Sequence, residues 1–335
     1  LGLKTVLSAL RDYVRIRRFG KKLWKQRDLF VETGTRLDPS PLLHELVRDQ
    51  YFGRTAALNA FWISLWESTI HALPMQRLGV YLFENQPWEL AFLSAWQRSH
   101  LGKVFAVAHS TMRFWDLRYF SSGDSSNLYG KPTPNSVVVN GPLMKATALN
   151  GGYSERLLSM AESLRRQEDA DSRDGAVTDV LVLGEYAVAH DKILIEIAEH
   201  FADTLEPAAH VTYRPHPTAV IDPSSLPAKW SLSHHASVSG AVADSRIALC
   251  GPTTSSALDA WLIGRKVLVI GLADTLVSSP AIGLPNVYLV TTKVEATSLA
   301  LDIFAESKIG LYPEALCTEP GIPRWKRLLS TVAAD

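Results

Sequence analysis

The amino-acid sequence predicts an α/β protein of two Rossmann-like domains that face a cleft, with extra helices at the N-terminus. The chain has 335 residues, about twice the length of a typical domain, so two domains are expected. A unit of apolar strand, polar loop and helix recurs in both halves, which is typical of a doubly wound parallel sheet. The charged stretch Glu168–Gly175 interrupts this pattern and indicates a linker.

Composition narrows the classes of function. Hydrophobic residues make up 47% of the chain, charged residues 20%, and the formal net charge is zero, as in ordinary soluble domains. We therefore expect no nucleic-acid partner. Cys250 and Cys317 are the two cysteines, and their number indicates neither a disulfide framework nor a metal site. A cytoplasmic location is the simplest expectation.

The N-terminal segment, residues 1–75, is predicted to be helical and begins with an excess of positive charge. Between Lys4 and Arg27 the chain carries nine basic residues, and apolar residues recur between them at roughly helical spacing. Two interpretations stay open. The segment is either a helix that lies on an anionic membrane surface, such as the inner face of a bacterial plasma membrane, or a solvated end of the chain. Gly20 is expected to interrupt the helical stripe.

The rest of this segment is predicted to be part of the fold. Asp38–Pro41 is a helix-start signal, and the Phe and Trp residues that follow it are expected in the core. Polar residues within 55–73 favour a buried helix over a membrane span. No signal peptide is recognisable, because no apolar core or cleavage site follows the basic segment. Leu1 is not a methionine, which leaves open whether a segment was removed upstream.

The first Rossmann-like domain is predicted over residues 76–168. Its strands are expected at 78–83, 103–108 and 135–139, and its helices at 87–99 and 153–167. Polar residues follow each strand, at Glu84–Glu89, His109–Thr111 and Asn140–Pro142. Ligands of such sheets bind outside the carboxyl ends of the strands. The stretch Arg113–Gly130 is either a substrate loop or a mobile surface loop.

The second Rossmann-like domain is predicted over residues 176–322. Strands are expected at 177–183, 210–213, 246–250, 266–270 and 287–290, with helices between them. Residues 323–335 are predicted as a C-terminal helix that could cross back to the first domain. Two such halves joined by a linker describe the GT-B architecture, in which the cleft between the domains is the expected site.

The stretch Thr212–Pro217 carries the most distinctive candidate for donor binding. Pro215 and Pro217 hold the backbone extended around His216, which places the imidazole at a strand's carboxyl end where it could donate to a phosphate. Arg214 adds a possible phosphate fork. A His-Pro dipeptide also occurs by chance in loops, so this pattern alone is weak.

A second loop, Gly251–Ser256, opens a helix and offers hydroxyl groups and free backbone amides. The alternative is plain helix capping, which needs one hydroxyl residue. One turn further on, Asp259 could reach a ribose hydroxyl. The candidate nucleotide-binding residues of this domain are Gly184, Arg214, His216, Pro217, Thr254, Ser255, Ser256 and Asp259.

These residues resemble those of a known group of enzymes. The stretches Arg214–Pro217 and Thr254–Ser256 look like the HP and Ser/Thr motifs of bacterial sialyltransferases and of transferases of 3-deoxy-octulosonic acid (Kdo), which use CMP-activated sugars. Glu84–Glu89 and His109–Thr111 look like stretches of a bacterial surface carbohydrate biosynthesis family. The resemblance implies that His216 contacts the CMP phosphate and that Ser255 and Ser256 bind the phosphate or the sugar carboxylate.

Candidate catalytic residues lie in the first domain. The resemblance supplies no catalytic acid, because the acidic motif with glycine that many of these enzymes use is absent. Glu84 could deprotonate an acceptor hydroxyl, or it could be a helix N-terminal acid. His109 is an alternative base. No DxD motif with supporting acids is present, so no metal and no cofactor besides the donor substrate are expected.

The sequence thus predicts a metal-independent glycosyltransferase. It would move an acidic keto-sugar from a CMP donor to a bacterial surface glycan such as a lipopolysaccharide or capsule, with a glycan or lipid-linked acceptor. Alternatives are a UDP- or GDP-sugar transferase, a polyol-phosphate transferase, or a non-catalytic scaffold that binds glycans or membranes.

Overall fold

The computed structural model describes residues 2–25, 40–113, 116–120, 131–164, 178–186, 188–205, 209–219, 222, 225–273, 275–305 and 312–334. The expected linker lies outside these ranges, as do most of the loop 113–130 and the first two residues of the helix-start signal Asp38–Pro41. None of the described helices is long and apolar enough to cross a bilayer.

Three helices form the N-terminal layer: α1 (Leu3–Trp24), α2 (Ser40–Phe52) and α3 (Arg54–His71). Helix α1 is continuous through Gly20, which is buried and carries no side chain into the apolar stripe. A Cβ atom at residue 20 would lie 2.3 Å from Cβ of Tyr51, a distance that real atoms do not reach. Gly20 is therefore the point where α1 and α2 come close together.

A four-stranded parallel sheet follows, in the order β1-β2-β3-β4. Its strands are β1 (Leu78–Leu82), β2 (Lys103–Val107), β3 (Ser136–Val139) and β4 (Leu158–Met160), and its helices are α4 (Pro87–Arg98) and α5 (Pro142–Asn150). The predicted helix at 153–167 is wrong, because Leu158 pairs with Val137 as part of β4. Glycines at 151 and 152 end the preceding helix α5.

The second sheet has six parallel strands in the order β10-β9-β8-β5-β6-β7. The strands are β5 (Thr178–Leu183), β6 (Val211–Arg214), β7 (Ser231–Leu232), β8 (Ser245–Cys250), β9 (Lys266–Ile270) and β10 (Val287–Val290). The helices are α6 (Val188–Leu205), α7 (Val238–Ala243), α8 (Ser256–Leu262) and α9 (Lys293–Ala305). The helices α5, α7 and α9 and the short strands β4 and β7 are additions to the predicted set.

Each sheet is covered on both faces, as parallel sheets require. In the first sheet Val104 and Ala106 face the core beneath α4 and α5, whereas Phe105 and Val107 face the opposite side. That side is covered by the last helix, α10 (Pro323–Ala334), through Trp325 among other residues. The C-terminal helix thus packs on the first sheet.

The chain between the second sheet and α10 connects the two halves. The ring of Tyr312 stacks on Trp261 of α8 at 4.2 Å. Five residues later, the amide of Cys317 donates to the carbonyl of Asn140 (2.7 Å). The carbonyl of Cys317 accepts from the amide of Ser163 (2.8 Å). Gly141 lies against this segment with φ +147°, a backbone conformation that favours glycine. Both cysteines are free and buried.

Candidate functional site

The carboxyl edge of the first sheet brings Glu84 and His109 together. Glu84 follows β1 and His109 follows β2, and these strands are neighbours. Glu84 Oε1 lies 3.3 Å from His109 Nε2, and each side chain is 39% exposed. The two candidate catalytic residues, considered singly from the sequence, form an acid–histidine pair open to solvent.

The surroundings of His109 indicate that its Nε2 atom is the donor to the Glu84 carboxylate. Its Nδ1 atom is buried and has no hydrogen-bond partner among the described residues. A neutral imidazole with its hydrogen on Nε2 points that hydrogen at Glu84 and leaves no buried donor unpaired. This contact uses Oε1 of Glu84 and does not involve the second carboxylate oxygen.

Glu89 holds the loop that carries Glu84. This carboxylate is 1% exposed and accepts from the backbone amides of Glu84 and Asn85, both at 3.0 Å. Asn85 has φ +54°, so the loop turns sharply here. Burial raises the pKa of Glu89 although the amides of Gln86, Glu84 and Asn85 lower it. Glu89 therefore positions Glu84.

A cavity of about 550 Å³ lies beside this loop. Tyr81, Phe83 and Leu93 contribute apolar wall, and Lys131 and Arg156 contribute positive charge. Asn85 and Tyr153 also line it, joined by a hydrogen bond of 2.9 Å. The volume and the mixture of aromatic wall with a few polar groups are those of a small-molecule site.

At the carboxyl edge of the second sheet, the chain fixes the ring of His216 from one side. Its Nδ1 atom lies 2.8 Å from the Thr218 hydroxyl and 3.3 Å from the Thr218 amide. The ring also meets Tyr186 edge-on at 5.8 Å. Because an amide can only donate, Nδ1 is the acceptor and Nε2 carries the hydrogen of the neutral ring. No partner of Nε2 lies among the described residues, so this N–H is open to a ligand. Pro217 beside it is exposed.

Arg214 is engaged in holding the neighbouring chain. Its guanidinium donates to the carbonyls of His235 (2.6 Å) and Ala236 (3.2 Å) and to the Ser233 hydroxyl (3.5 Å). The sequence had suggested a phosphate fork at this residue. A phosphate would have to compete with these bonds, so the geometry gives Arg214 a part in shaping the edge of the sheet.

A carboxylate from another part of the chain binds the backbone of the loop Gly251–Ser256. Glu185, which follows β5 and is 2% exposed, accepts from the Thr253 amide (3.0 Å), the Thr253 hydroxyl (2.7 Å) and the Thr254 amide (3.2 Å). These amides belong to the set that the sequence predicts as free for phosphate. The Thr254 hydroxyl accepts from the Ser256 amide (3.2 Å).

What remains in this loop for a ligand is a pair of hydroxyls. No hydrogen bond of the Ser255 or Ser256 hydroxyl is found within the described part of the chain, and both residues are half-buried. Asp259 lies in the first turn of α8 and is also half-buried. The predicted residues 254–256 and 259 therefore lie on one loop and helix start, next to Glu185.

A second buried acid, Asp191, binds the backbone of Glu185. Asp191 is 2% exposed and accepts from the Glu185 amide at 2.7 Å. Burial raises the pKa of Asp191. Burial raises the pKa of Tyr213 more strongly, and the negative charge of Asp191 raises the pKa of Tyr213 further. Gly184 fits here because a Cβ atom would lie 2.4 Å from the Tyr213 hydroxyl oxygen.

Sequence reasoning missed Glu185, Asp191 and the role of Glu89, although a shared pattern marks them. In each half a glutamate stands two residues after the first strand, at Glu84 and Glu185. An acid in the first turn of the next helix, Glu89 or Asp191, then accepts from that glutamate's own amide. A search for this spacing would have found both supporting acids.

Comparison with known proteins extends the description of the fold. No protein-family model matches the sequence, and no curated protein matches it. Among solved structures, Arabidopsis thaliana UGT89C1 aligns with a TM-score of 0.52 at 10% identity, over 91% of this chain and 82% of that one. A putative UDP-N-acetylglucosamine 2-epimerase from Listeria monocytogenes aligns with a TM-score of 0.50 at 11% identity, over 88% and 86%.

CalG4, the calicheamicin glycosyltransferase, aligns with a TM-score of 0.49 at 13% identity, over 91% of this chain and 79% of that one. Identities this low show likeness in fold alone. The predicted GT-B-like architecture of two parallel α/β halves is confirmed.

Proposed function

We propose that this protein is a glycosyltransferase that uses a nucleotide-sugar donor. The observation that carries the proposal is the Glu84–His109 pair at the carboxyl edge of the first sheet. The second sheet presents an open imidazole N–H at the matching edge, on His216. A proton acceptor on one half and a phosphate ligand on the other are the two groups that glycosyl transfer needs.

In the proposed reaction, the free oxygen of Glu84 takes the proton of an acceptor hydroxyl. The hydroxyl oxygen attacks the anomeric carbon of the donor sugar, and the bond from that carbon to the phosphate oxygen breaks. The leaving nucleotide keeps the electron pair as negative charge on phosphate, which His216 Nε2 and the hydroxyls of Ser255 and Ser256 stabilise. His109 holds the carboxylate of Glu84 through Nε2.

The cavity next to Glu84 is the proposed place for the acceptor. Asn85 of the Glu84 loop lines its wall, as does Glu89 of α4, which accepts from the amides of Glu84 and Asn85. Lys131 and Arg156 favour an acceptor that carries negative charge. An acidic bacterial surface glycan, or its lipid-linked precursor at the inner face of the plasma membrane, fits this chemistry.

For the donor, the Arg-Pro-His-Pro stretch favours a CMP-activated acidic keto-sugar such as Kdo or a sialic acid. A UDP-sugar is the second candidate, and the likeness to the Listeria protein, named for UDP-N-acetylglucosamine, favours it. Thermal shift with CMP, UDP and GDP separates the two, since a nucleotide that binds the folded protein raises its Tm. The proposal assigns no metal, and EDTA is expected to leave transfer unchanged.

Transfer assays with Glu84→Gln test the proposed chemistry. The amide keeps the shape of the side chain and cannot take a proton, so kcat is expected to fall by about 10²–10⁴-fold with donor binding retained. Glu155→Gln is the matched control, because Glu155 is exposed and pairs with Lys145; it should keep wild-type kcat. Wild-type kcat in Glu84→Gln would remove Glu84 from the mechanism. Absence of transfer or donor hydrolysis by the wild type would favour a non-catalytic scaffold.

A further inference from the structure

The outer face of helix α1 is a row of exposed leucine and valine side chains. Leu3, Leu7, Leu10 and Val14 are 74%, 56%, 56% and 46% exposed. Their spacing of three and four residues places them on one side of the helix, with Val6 (44% exposed) at its margin. Large apolar side chains at this density on one surface mark an interaction site.

Within the described part of the chain, the fold leaves this row exposed. Helix α1 attaches to α2 and α3 by its opposite side, where Gly20 meets Tyr51. On that side the Asp12 carboxylate accepts from Ser64 (3.2 Å), and the Tyr13 hydroxyl donates to the Phe52 carbonyl (3.0 Å). The helix is therefore held in place with its apolar row outward, independently of any partner.

Positive charge borders the row. Lys4, Arg11, Arg15 and Arg18 lie along one flank of the helix and are exposed. Further along, Lys21 and Lys25 continue the line of the row itself. Among the described residues of α1, Asp12 is the sole acid. One of its carboxylate oxygens accepts from Ser64, and the other lies 3.4 Å from both Arg11 and Arg15, whose side chains stay exposed.

A cavity of about 370 Å³ lies at the C-terminal end of α1, beside α2. Trp24 and Phe52 provide its apolar wall, and Lys21, Lys25 and Arg48 stand around it. An apolar hollow surrounded by cations matches a lipid molecule, whose acyl chain is apolar and whose headgroup can be anionic.

We propose that α1 docks this protein on an anionic lipid bilayer, with Leu3, Leu7, Leu10 and Val14 inserted between the headgroups and the flanking cations on the lipid phosphates. The inference adds a partner to the proposed function and does not depend on glycosyl transfer. A second copy of the chain is the other possible occupant of the row. Clusters of Lys and Arg along two facing copies would repel each other, and an anionic surface would neutralise them.

Vesicle co-sedimentation of the full chain tests the proposal without an activity assay. Wild-type protein is expected to sediment with phosphatidylcholine vesicles that contain about 30% phosphatidylglycerol, and much less with pure phosphatidylcholine. Leu7→Glu/Leu10→Glu should lower the bound fraction about tenfold or more, because it puts two acids into the row. Arg11→Gln/Arg15→Gln/Arg18→Gln should weaken binding at low salt.

The control is Leu301→Glu/Leu329→Glu, which changes two leucines of comparable exposure on α9 and α10; it should bind like wild type. Circular dichroism and Tm verify that each variant is folded. Equal binding of wild type and Leu7→Glu/Leu10→Glu would overturn the proposal. So would a wild-type dimer in light scattering that this variant dissociates, with no vesicle binding by either.

Discussion

Glu185 is the residue on which the edge of the second sheet depends most. Its buried carboxylate accepts three hydrogen bonds from Thr253 and Thr254 and so fixes the loop that carries Ser255 and Ser256. It occupies amides that a phosphate would otherwise take. The donor phosphate is consequently left to His216 and the hydroxyls in the proposed complex.

Glu185→Gln is expected to destabilise the protein. The amide keeps one acceptor oxygen and turns an NH₂ group toward N–H or O–H donors, at a cost of about 1–3 kcal/mol for buried groups left unpaired. Urea unfolding measures the free-energy difference. An unchanged midpoint would show that the loop does not need the carboxylate.

Asp191→Asn provides the comparison. Burial raises the pKa of Asp191, so its ionised form costs stability at pH values above the pKa of the unfolded state. The neutral amide removes this cost and can still accept from the Glu185 amide. The stability of Asp191→Asn at neutral pH should therefore equal or exceed that of wild type, in contrast to Glu185→Gln.

Among individual residues, the sequence predicts some members of the candidate site and not others. Proline on both sides of His216 and polar residues after strands indicate where to look, because these signals are local. The hydrogen bonds of the Glu185 carboxylate and the Arg214 guanidinium join residues 19 to 69 positions apart. Only the strand order brings these residues together, and the sequence pattern does not give the order.

Among the elements, helix α10 shows how one buried acid attaches a helix to a distant sheet. Glu162 follows β4 and is 1% exposed. It accepts from the Arg324 amide (2.9 Å) and the Trp325 amide (3.1 Å) at the start of α10, and its carbonyl accepts from the Trp325 indole (2.8 Å). Burial favours a raised pKa for Glu162, but the amides and the Arg324 guanidinium together lower it.

Glu162→Gln is expected to loosen α10 at neutral pH, by about 1–3 kcal/mol in unfolding free energy. Because the folded-state pKa of Glu162 is lowered, its stabilisation is fully present above the unfolded-state pKa of about 4.3 and is lost as pH falls through the folded value. The gap between wild type and variant should therefore narrow below about pH 4.

Hydrogen exchange of the α10 amides and urea unfolding at two pH values measure this effect. Glu319→Gln is the control: Glu319 also pairs with Arg324 but is exposed, and exposed ion pairs contribute little to stability. A gap between wild type and Glu162→Gln that stays constant with pH would contradict the assigned role of the carboxylate.

Fully buried apolar strands were predictable from the sequence, whereas the shortest strands and the helix α9 were not. Buried runs such as Val137–Val139 and Val267–Ile270 have too few polar residues for any other placement. Leu158–Met160 reads locally as helix, and becomes a strand because β3 offers it an edge to pair with. The helix 293–305 and the two-residue strand β7 lack a clear local signal.

For the whole molecule, the repeated strand–loop–helix unit was sufficient to predict two parallel α/β halves, since few other folds bury such strands on both faces. The sequence indicated a linker at Glu168–Gly175, which lies outside the described residues, and a C-terminal helix that could cross back, but not the contacts of the chain that leads to this helix. Residues 312–317 make that connection, with Tyr312 on α8 and Cys317 between Asn140 and Ser163. Donor and acceptor sites on different halves are the central claim built on this architecture.

Isothermal titration with CMP and UDP tests that claim most directly. The account predicts that wild type binds one of the two nucleotides and that His216→Ala weakens this binding about tenfold, the equivalent of about 1.4 kcal/mol. Glu84→Gln, on the first half, should bind like wild type, as should the control His200→Ala on α6. No binding of either nucleotide by wild type, or undiminished binding by His216→Ala, would contradict the claim.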